Sequence, residues 1–366
     1  MSPLFSLPIE NPFDPASLRV EVKNTTVGQL VDMLKNEMID LQPDFQRHRD
    51  LWTKQKKSRL IESVILGLPL PSFYFYIDNN QEKWVVIDGL QRLCAFNDFM
   101  VRQDMRLTGL QFLNDVHNRH RFRDFSYFDQ LTMSMRPVTL NVVSGASSAE
   151  AKHIIFQRIN SEGTQLSPAE IRNALFHGRS MEMVRELAES EEFEDATCNG
   201  VSKKRLRHYD FVSRFLAFYL QGYENYESNK MDKFIGNALQ HLNDVFTETM
   251  QQKLKDVFFG SLSVCKYLLG ETAFRQPLNE EDKKNKDIKS NPISISLFEA
   301  MMCSVSGLSE KEKERLLLKK QLYNNLYKKM FEDEFLRREL SNGTNQYKSV
   351  HYRFSKMEEL VKSVIK

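Results

Sequence analysis

Asp88, Gly89, Leu90, Gln91 and Arg92 follow one another where a β-prone run, Trp84 to Ile87, gives way to helical spacing. At such a turn a glycine lets backbone N–H groups approach a ligand, and the start of the next helix favours an anion. An arginine there donates a two-pronged hydrogen bond to phosphate oxygens. That combination binds phosphate, but Asp-Gly at a strand end is equally an ordinary turn, so the five residues alone leave both readings open. A second cluster is Pro43-Asp44-Phe45-Gln46-Arg47, followed by Trp52 and by Lys56, Lys57 and Arg59. An arginine beside an aromatic clamps a nucleotide or a nucleic-acid backbone by charge and stacking; the commoner outcome for such a run is a helix face that only meets water. In a third cluster, Phe156 to Gly163, a helical pattern ends in a glycine turn that displays Arg158, Asn160 and Glu162. Helix capping alone explains that turn adequately.

The elements that must position these residues are legible in the spacing. Val27, Leu30, Leu34 and Met38 predict a helix over 27–38. Lys54 to Leu66 reads as an amphipathic helix with a basic face carrying Lys56, Lys57 and Arg59, stopped by Gly67 and Pro69. Phe73 to Ile77 and Trp84 to Ile87 read as a hairpin across Asp78–Gln81. Helical spacing returns over Leu90–Met100 and Ser148–Ile159, with a strand between them at Pro137–Val143. Ser167, Pro168 and Glu170 supply an N-cap, a proline in the first turn and an acid, so a helix is expected over Pro168–Phe176. Beyond Met181 the pattern is helical, with Phe211, Phe215, Leu216 and Tyr219 on one stripe and a charged loop at Lys283–Asn291.

At 366 residues the chain suggests two or three domains of about 150 residues each, with the change placed near residues 180–205. Lys+Arg 51 against Asp+Glu 49 gives +2, which excludes a polycation that coats nucleic acid by bulk charge. A composition 41% hydrophobic and 27% charged suits a globular core rather than disorder. Cys94, Cys198, Cys265 and Cys303 form no C-x-x-C pair, so reduced thiols and a cytoplasmic location are expected. No leader-like or membrane-spanning apolar run is evident.

Taken in order, the clusters resemble a known family. The Pro43–Arg47 segment with Trp52, then Leu60-Ile61-Glu62-Ser63 with Gly67-Leu68-Pro69-Leu70-Pro71, then Ile87 to Leu93, then Phe156 to Gly163 with Leu166 and Glu170, are similar to the N-terminal domain of GmrSD-type modification-dependent restriction proteins. The resemblance covers residues 25–180. It implies an α+β chain: a 1–24 extension, a ParB/sulfiredoxin-like α/β domain over 25–180, and a mostly α-helical domain over 181–366. It further implies nucleoside-triphosphate binding and hydrolysis with Mg2+, in DNA restriction or anti-phage defence. The family's Asp-Gly-Gln-Gln-Arg signature falls on Asp88, Gly89, Leu90, Gln91 and Arg92. Its Gln-Arg pair falls on Gln46 and Arg47, and its Arg-x-Asn-x-x-Gly segment on Arg158, Asn160 and Gly163. Leu90 departs from the family's commoner glutamine, which puts hydrolysis, more than binding, in question.

Roles follow from this resemblance. Arg92 and Arg47 would neutralise phosphate charge, Gly89 would admit the ligand to the backbone, and Asp88 would hold magnesium or orient water. Gln91 would hydrogen-bond phosphate or that water, while Arg158 and Asn160 would close the pocket; Asp88, Gln91 and Arg92 are the expected catalytic set. The structural alternative has Asp88 capping the following helix and Arg92 paired with Glu62 or Glu170. Lys56, Lys57, Arg59, Arg119, Arg121 and Arg123 are candidate contacts to a DNA backbone, or else unrelated solvated patches. Some members of the family continue into an HNH nuclease domain, for which no motif is found here. His117 and His120 share a helix face only if that segment is helical, which makes them a weak metal pair. The rival functions are a non-catalytic DNA-binding adaptor switched by nucleotide and a nuclease centred on Asp88. A partner nuclease and a homo-oligomer are compatible with all three.

Overall fold

The chain divides between Leu166 and Ser167 into a sheet-containing unit, Met1–Leu166, and a helical unit, Ser167–Lys366. The computed structural model describes residues 19–41, 52–77, 83–145, 155, 156, 158, 159, 167–176, 178–227, 229–278 and 290–366. In the first unit the elements run β1 (Arg19–Thr26), α1 (Val27–Lys35), β2 (Ile39–Asp40), α2 (Lys54–Leu66), β3 (Phe73–Ile77), β4 (Trp84–Asp88), α3 (Leu90–Phe96), α4 (Asn114–His117), α5 (Tyr127–Ser134) and β5 (Pro137–Ser144). The sheet order is β1-β5-β3-β4-β2, with β1 antiparallel to β5, β5 parallel to β3, β3 antiparallel to β4 and β4 parallel to β2.

Alternation puts one side of each central strand into the core. Val138, Leu140 and Val142 of β5 and Phe73 and Phe75 of β3 are buried with Leu30, Leu93, Phe96 and Phe99 from the helices. Each such side chain contributes about 1.5–3 kcal/mol when removed from water. The expected hairpin is present as β3 and β4. The first helix is shorter than expected: Asn36 caps it, and the chain turns so that Ile39 and Asp40 pair with Trp84 and Val85. After Phe96 the helix widens into a π turn, Asn97–Val101. The strand β1 was not expected, because six of its residues fall in the 1–24 extension; it forms the sheet edge, with Val20 and Val22 exposed between charged residues that discourage further pairing.

Helix α2 is the spine of this unit. Thr53 caps its start, accepting the Lys56 N–H at 3.3 Å. Its end closes at Gly67, where φ is +74° and where the Arg136 guanidinium donates to the carbonyls of Val64 and Ile65 at 3.0 Å. A Cβ on Gly67 would lie 2.6 Å from that guanidinium. Ser58 accepts the Thr108 N–H at 3.0 Å. Buried Glu62 accepts the backbone N–H groups of Gln111, Phe112 and Leu113 at 2.9, 2.7 and 2.8 Å. Lys57, expected on an open basic face, instead lies buried with its ammonium 2.7 Å from Asp98. A buried ammonium needs such a partner, because desolvating it alone is prohibitive.

In the helical unit, α6 (Pro168–Leu175) starts with the expected box, Ser167 and Glu170 each capping the other's N–H. Glu170 also pairs with Arg205 at 3.1 Å, and Arg172, almost fully buried, pairs with Asp210 and Asp232. These ion pairs tie α6 to the helices that follow, so the chain divides before residue 167 rather than within 180–205. Arg214 and Arg353 both meet Glu299, Arg214 at 3.2 Å. Among the described residues of this unit the only strand pairing is an isolated bridge, Arg275 to Ile293. The expected helix at 148–159 and loop at 283–291 lie largely outside the described residues.

Burial pushes the Glu62 carboxyl up, but its three N–H donors together with Arg59 outweigh that and hold it below the ordinary value of 4.5. A folded pKa below the unfolded one stabilises above the unfolded value, and the effect is lost as pH falls through the folded value. Glu62→Gln therefore lowers stability by about 2–3 kcal/mol at neutral pH. The gap between variant and wild type narrows below about pH 4. Chemical denaturation at pH 7 and pH 3 measures both.

Candidate phosphate-binding site

The hairpin and the first turn of α3 build the site. Tyr74 pairs with Asp88 and Phe75 with Val86, so Ile87 is an additional residue on β4 and the strand bulges one position before its end. Such a bulge re-aims the residues beside it. Gly89 then turns the chain with φ +99° and ψ 4°, and α3 begins at Leu90 with no side-chain cap. A Cβ on Gly89 would lie 2.5 Å from Cδ1 of Phe73, so both the dihedral and the packing demand glycine here.

Arg92 is the centre of the arrangement. Its guanidinium donates to the Pro71 carbonyl, to the Ser72 carbonyl at 3.2 Å and to Oδ2 of Asp88 at 2.8 Å, and it lies 4.5 Å from the centre of the Phe73 ring. Burial lowers its pKa and Asp88 opposes that shift; a guanidinium this basic stays charged throughout the physiological range. Gln91, nine-tenths buried, has an amide oxygen with no hydrogen-bond partner among the described residues. Leu90 packs on the rim of the core.

The structural alternative for these residues is thus met in part and in a different form. Arg92 pairs with Asp88, four residues away, while Glu62 and Glu170 are committed elsewhere. The helix cap is Gly89, not Asp88. The residues that hold Arg92, namely Pro71, Ser72 and Phe73, escaped the sequence reading; the proline-ended segment before a β-prone run was their only signal.

Of the remaining expected residues, Gln46, Arg47, Asn160 and Gly163 lie outside the described residues. Arg158 is exposed, and nearby Phe156 packs on Tyr76 of β3 with ring centres 6.2 Å apart. Lys56 lies over the Trp52 ring at 4.6 Å, and Arg59 reaches the Gly109 carbonyl at 3.3 Å. Arg119, exposed with φ +67°, closes its loop through its N–H to the Leu107 carbonyl; Arg123 is exposed and Arg121 half-buried. The Lys57 ammonium, buried against Asp98, is withdrawn from the expected DNA-contacting set. The Nδ1 atoms of His117 and His120 stand 3.2 Å apart, both rings against Phe125. Among the described residues no third metal-ligating side chain joins them.

Residues 27–141 match the family model of the GmrSD restriction endonuclease N-terminal domain. This segment of the chain belongs to that family. The GmrSD N-terminal domain runs here from the start of α1 into β5 and includes Glu62, the Pro71–Phe73 segment and Asp88–Arg92; it stops before Arg158, Asn160 and Gly163. No curated protein and no solved structure matches the chain. No helix of the described residues is long and apolar enough to cross a membrane.

Gly89→Ala forces both a strained φ and an overlap with Phe73, and lowers stability by at least about 2 kcal/mol. Thermal unfolding of the purified variant beside wild type checks this; an unchanged midpoint would show that the turn relaxes freely.

Proposed function

We propose that the GmrSD N-terminal domain of this chain binds a nucleoside triphosphate at Asp88–Arg92 and hydrolyses it in the service of DNA restriction or defence. The observation that carries the reading is Gln91: the amide oxygen of this nine-tenths-buried residue has no hydrogen-bond partner among the described residues and sits in the same first helical turn as a fixed guanidinium and its carboxylate. Leaving such an acceptor unpaired costs about 1–3 kcal/mol, and a ribose hydroxyl or base amino group would satisfy it. Arg92 presents its charge without further ordering, since two carbonyls and a ring already hold it. Asp88 keeps one carboxylate oxygen beyond the one bound to Arg92, and magnesium takes one or two carboxylates together with phosphate oxygens and water. Asp88 would hold that ion, which supplies charge neutralisation when bound with the triphosphate. Arg47, Arg158 and Asn160 are proposed to complete the pocket on the strength of the family's motif. Exposed Lys56, Arg59, Arg119 and Arg123 suit a DNA backbone.

A second reading is a nucleotide-switched adaptor without turnover. It is favoured by the commitment of Asp88 to Arg92 and by Leu90, which brings no polar group where the family's commoner residue would.

Calorimetric titration with GTP, CTP, ATP and UTP in magnesium, paired with phosphate release, tests both readings. Arg92→Ala abolishes binding but also frees Pro71 and Ser72, so Gln91→Leu, which removes only the unpaired amide, is the cleaner probe. It weakens the preferred nucleotide about tenfold, equivalent to about 1.4 kcal/mol. Binding without phosphate release selects the adaptor. Absence of binding by all four nucleotides to the folded protein would contradict both readings.

A further inference from the structure

Helix α5 turns its apolar side to water. Tyr127, Phe128 and Met135 are 82%, 74% and 66% exposed, and Leu131 is exposed with them. At 100° per residue these four positions fall within roughly 100° of the helix circumference, while the opposite side buries Met133 in the core. Arg136, next in the chain, is bonded to the carbonyls of Val64 and Ile65, which tethers this helix end to the stretch that carries the exposed Leu66 and Leu68. On a scale of roughly 150–250 Å2 per large side chain, the six leave about 600 Å2 of apolar surface in water. That is the upper end of what a monomer carries, and it suits the apolar centre of a dimer face of about 800 Å2 per partner. None of the six is charged, as the middle of such a face requires.

We propose that this face pairs with the same face of a second copy of the chain. The spacing is self-complementary. Two α5 helices running antiparallel about a two-fold axis through Leu131 bring Tyr127 of one copy opposite Met135 of the other, because both lie four residues from the axis. A thioether against an aromatic ring is a favourable contact, Leu131 meets its own copy, and Asp129 falls outside the seam. A two-fold arrangement is also the commonest closed symmetry for soluble proteins. Leu68 runs through Pro69 and Leu70 to Pro71, whose carbonyl holds Arg92, so the paired face continues along the chain into the segment that positions the guanidinium. The inference rests on exposed residues alone and stands whether or not a nucleotide binds at Asp88–Arg92.

The test is sedimentation velocity of the full chain between about 1 and 100 µM, the range in which a micromolar Kd shows, beside Leu131→Lys and Phe128→Ser. Wild type moves from 42.9 kDa towards twice that mass with concentration, while both variants remain at 42.9 kDa with unchanged circular dichroism. Both positions are open to water, so neither substitution disturbs the core. In a Cys198→Ser background, Leu131→Cys forms a disulfide-linked dimer under mild oxidation. A wild type that stays monomeric throughout would overturn the proposal. So would variants that dimerise as wild type does, which would place the contact elsewhere.

Discussion

A buried guanidinium must find partners for its donors without surrendering its charge, and in this protein Arg92 does so by drawing two separate stretches of chain together, residues 71–73 and Asp88. The carbonyls of Pro71 and Ser72 lie at the approach to β3, Asp88 lies at the end of β4, and Phe73 provides the surface on which the group rests. Each contact constrains its neighbours. The ring that supports Arg92 leaves no room for a Cβ at residue 89, glycine at that position permits the left-handed turn, and the turn brings Asp88 and Arg92 onto the same side of the helix start.

The same logic, with the charge reversed, applies to a second buried charge of this unit. Glu62 is a carboxylate removed from water and satisfied by three consecutive backbone N–H groups, so it fixes the 111–113 segment against α2 much as a capping residue fixes a helix end. Arg136 closes the far end of α2. Between them α2 becomes a rigid bar from which the 67–72 segment emerges at a defined angle and delivers its carbonyls to Arg92. In the helical unit Arg214 and Arg353 meet Glu299 in an equivalent buried set, while buried Arg172 reaches the half-buried Asp210 and Asp232. Removing one member of such a set is typically worth 3–5 kcal/mol because it strands its partner's charge.

What the sequence disclosed follows from how local the signals are. Helix α2 and α6 were legible because their end signals, Gly67 for the first and Ser167 with Glu170 for the second, lie within a few residues of what they cap. The β3–β4 hairpin was legible for the same reason. The partners of buried charges were not. Lys57 looks like any exposed helix lysine until Asp98, forty-one residues on, is brought to it. Nothing near Arg172 announces Asp210 and Asp232, and so the division of the chain was placed too late. The strand β1 pairs with β5 more than a hundred residues away, and that partner leaves no signal near residues 19–26. At the turn itself the sequence singled out Asp88 to Arg92 but named Glu62 or Glu170 as structural partners of Arg92, where the structure has Asp88 and the Pro71 and Ser72 carbonyls; backbone carbonyls leave no trace in residue types.

In the proposed function Arg92 and Asp88 form a pre-set pair onto which a triphosphate would dock, closing over the turn at Gly89–Arg92. Hydrogen–deuterium exchange of the segment from Trp84 to Phe96, with and without each nucleoside triphosphate in magnesium, tests that claim directly. Nucleotide docking at this turn slows exchange at Leu90, Gln91 and Arg92, with the amides of residues 111–113 already slow and unchanged. Identical exchange in this segment at saturating concentrations of all four nucleotides would contradict it, and would leave Arg92 as a structural clamp alone.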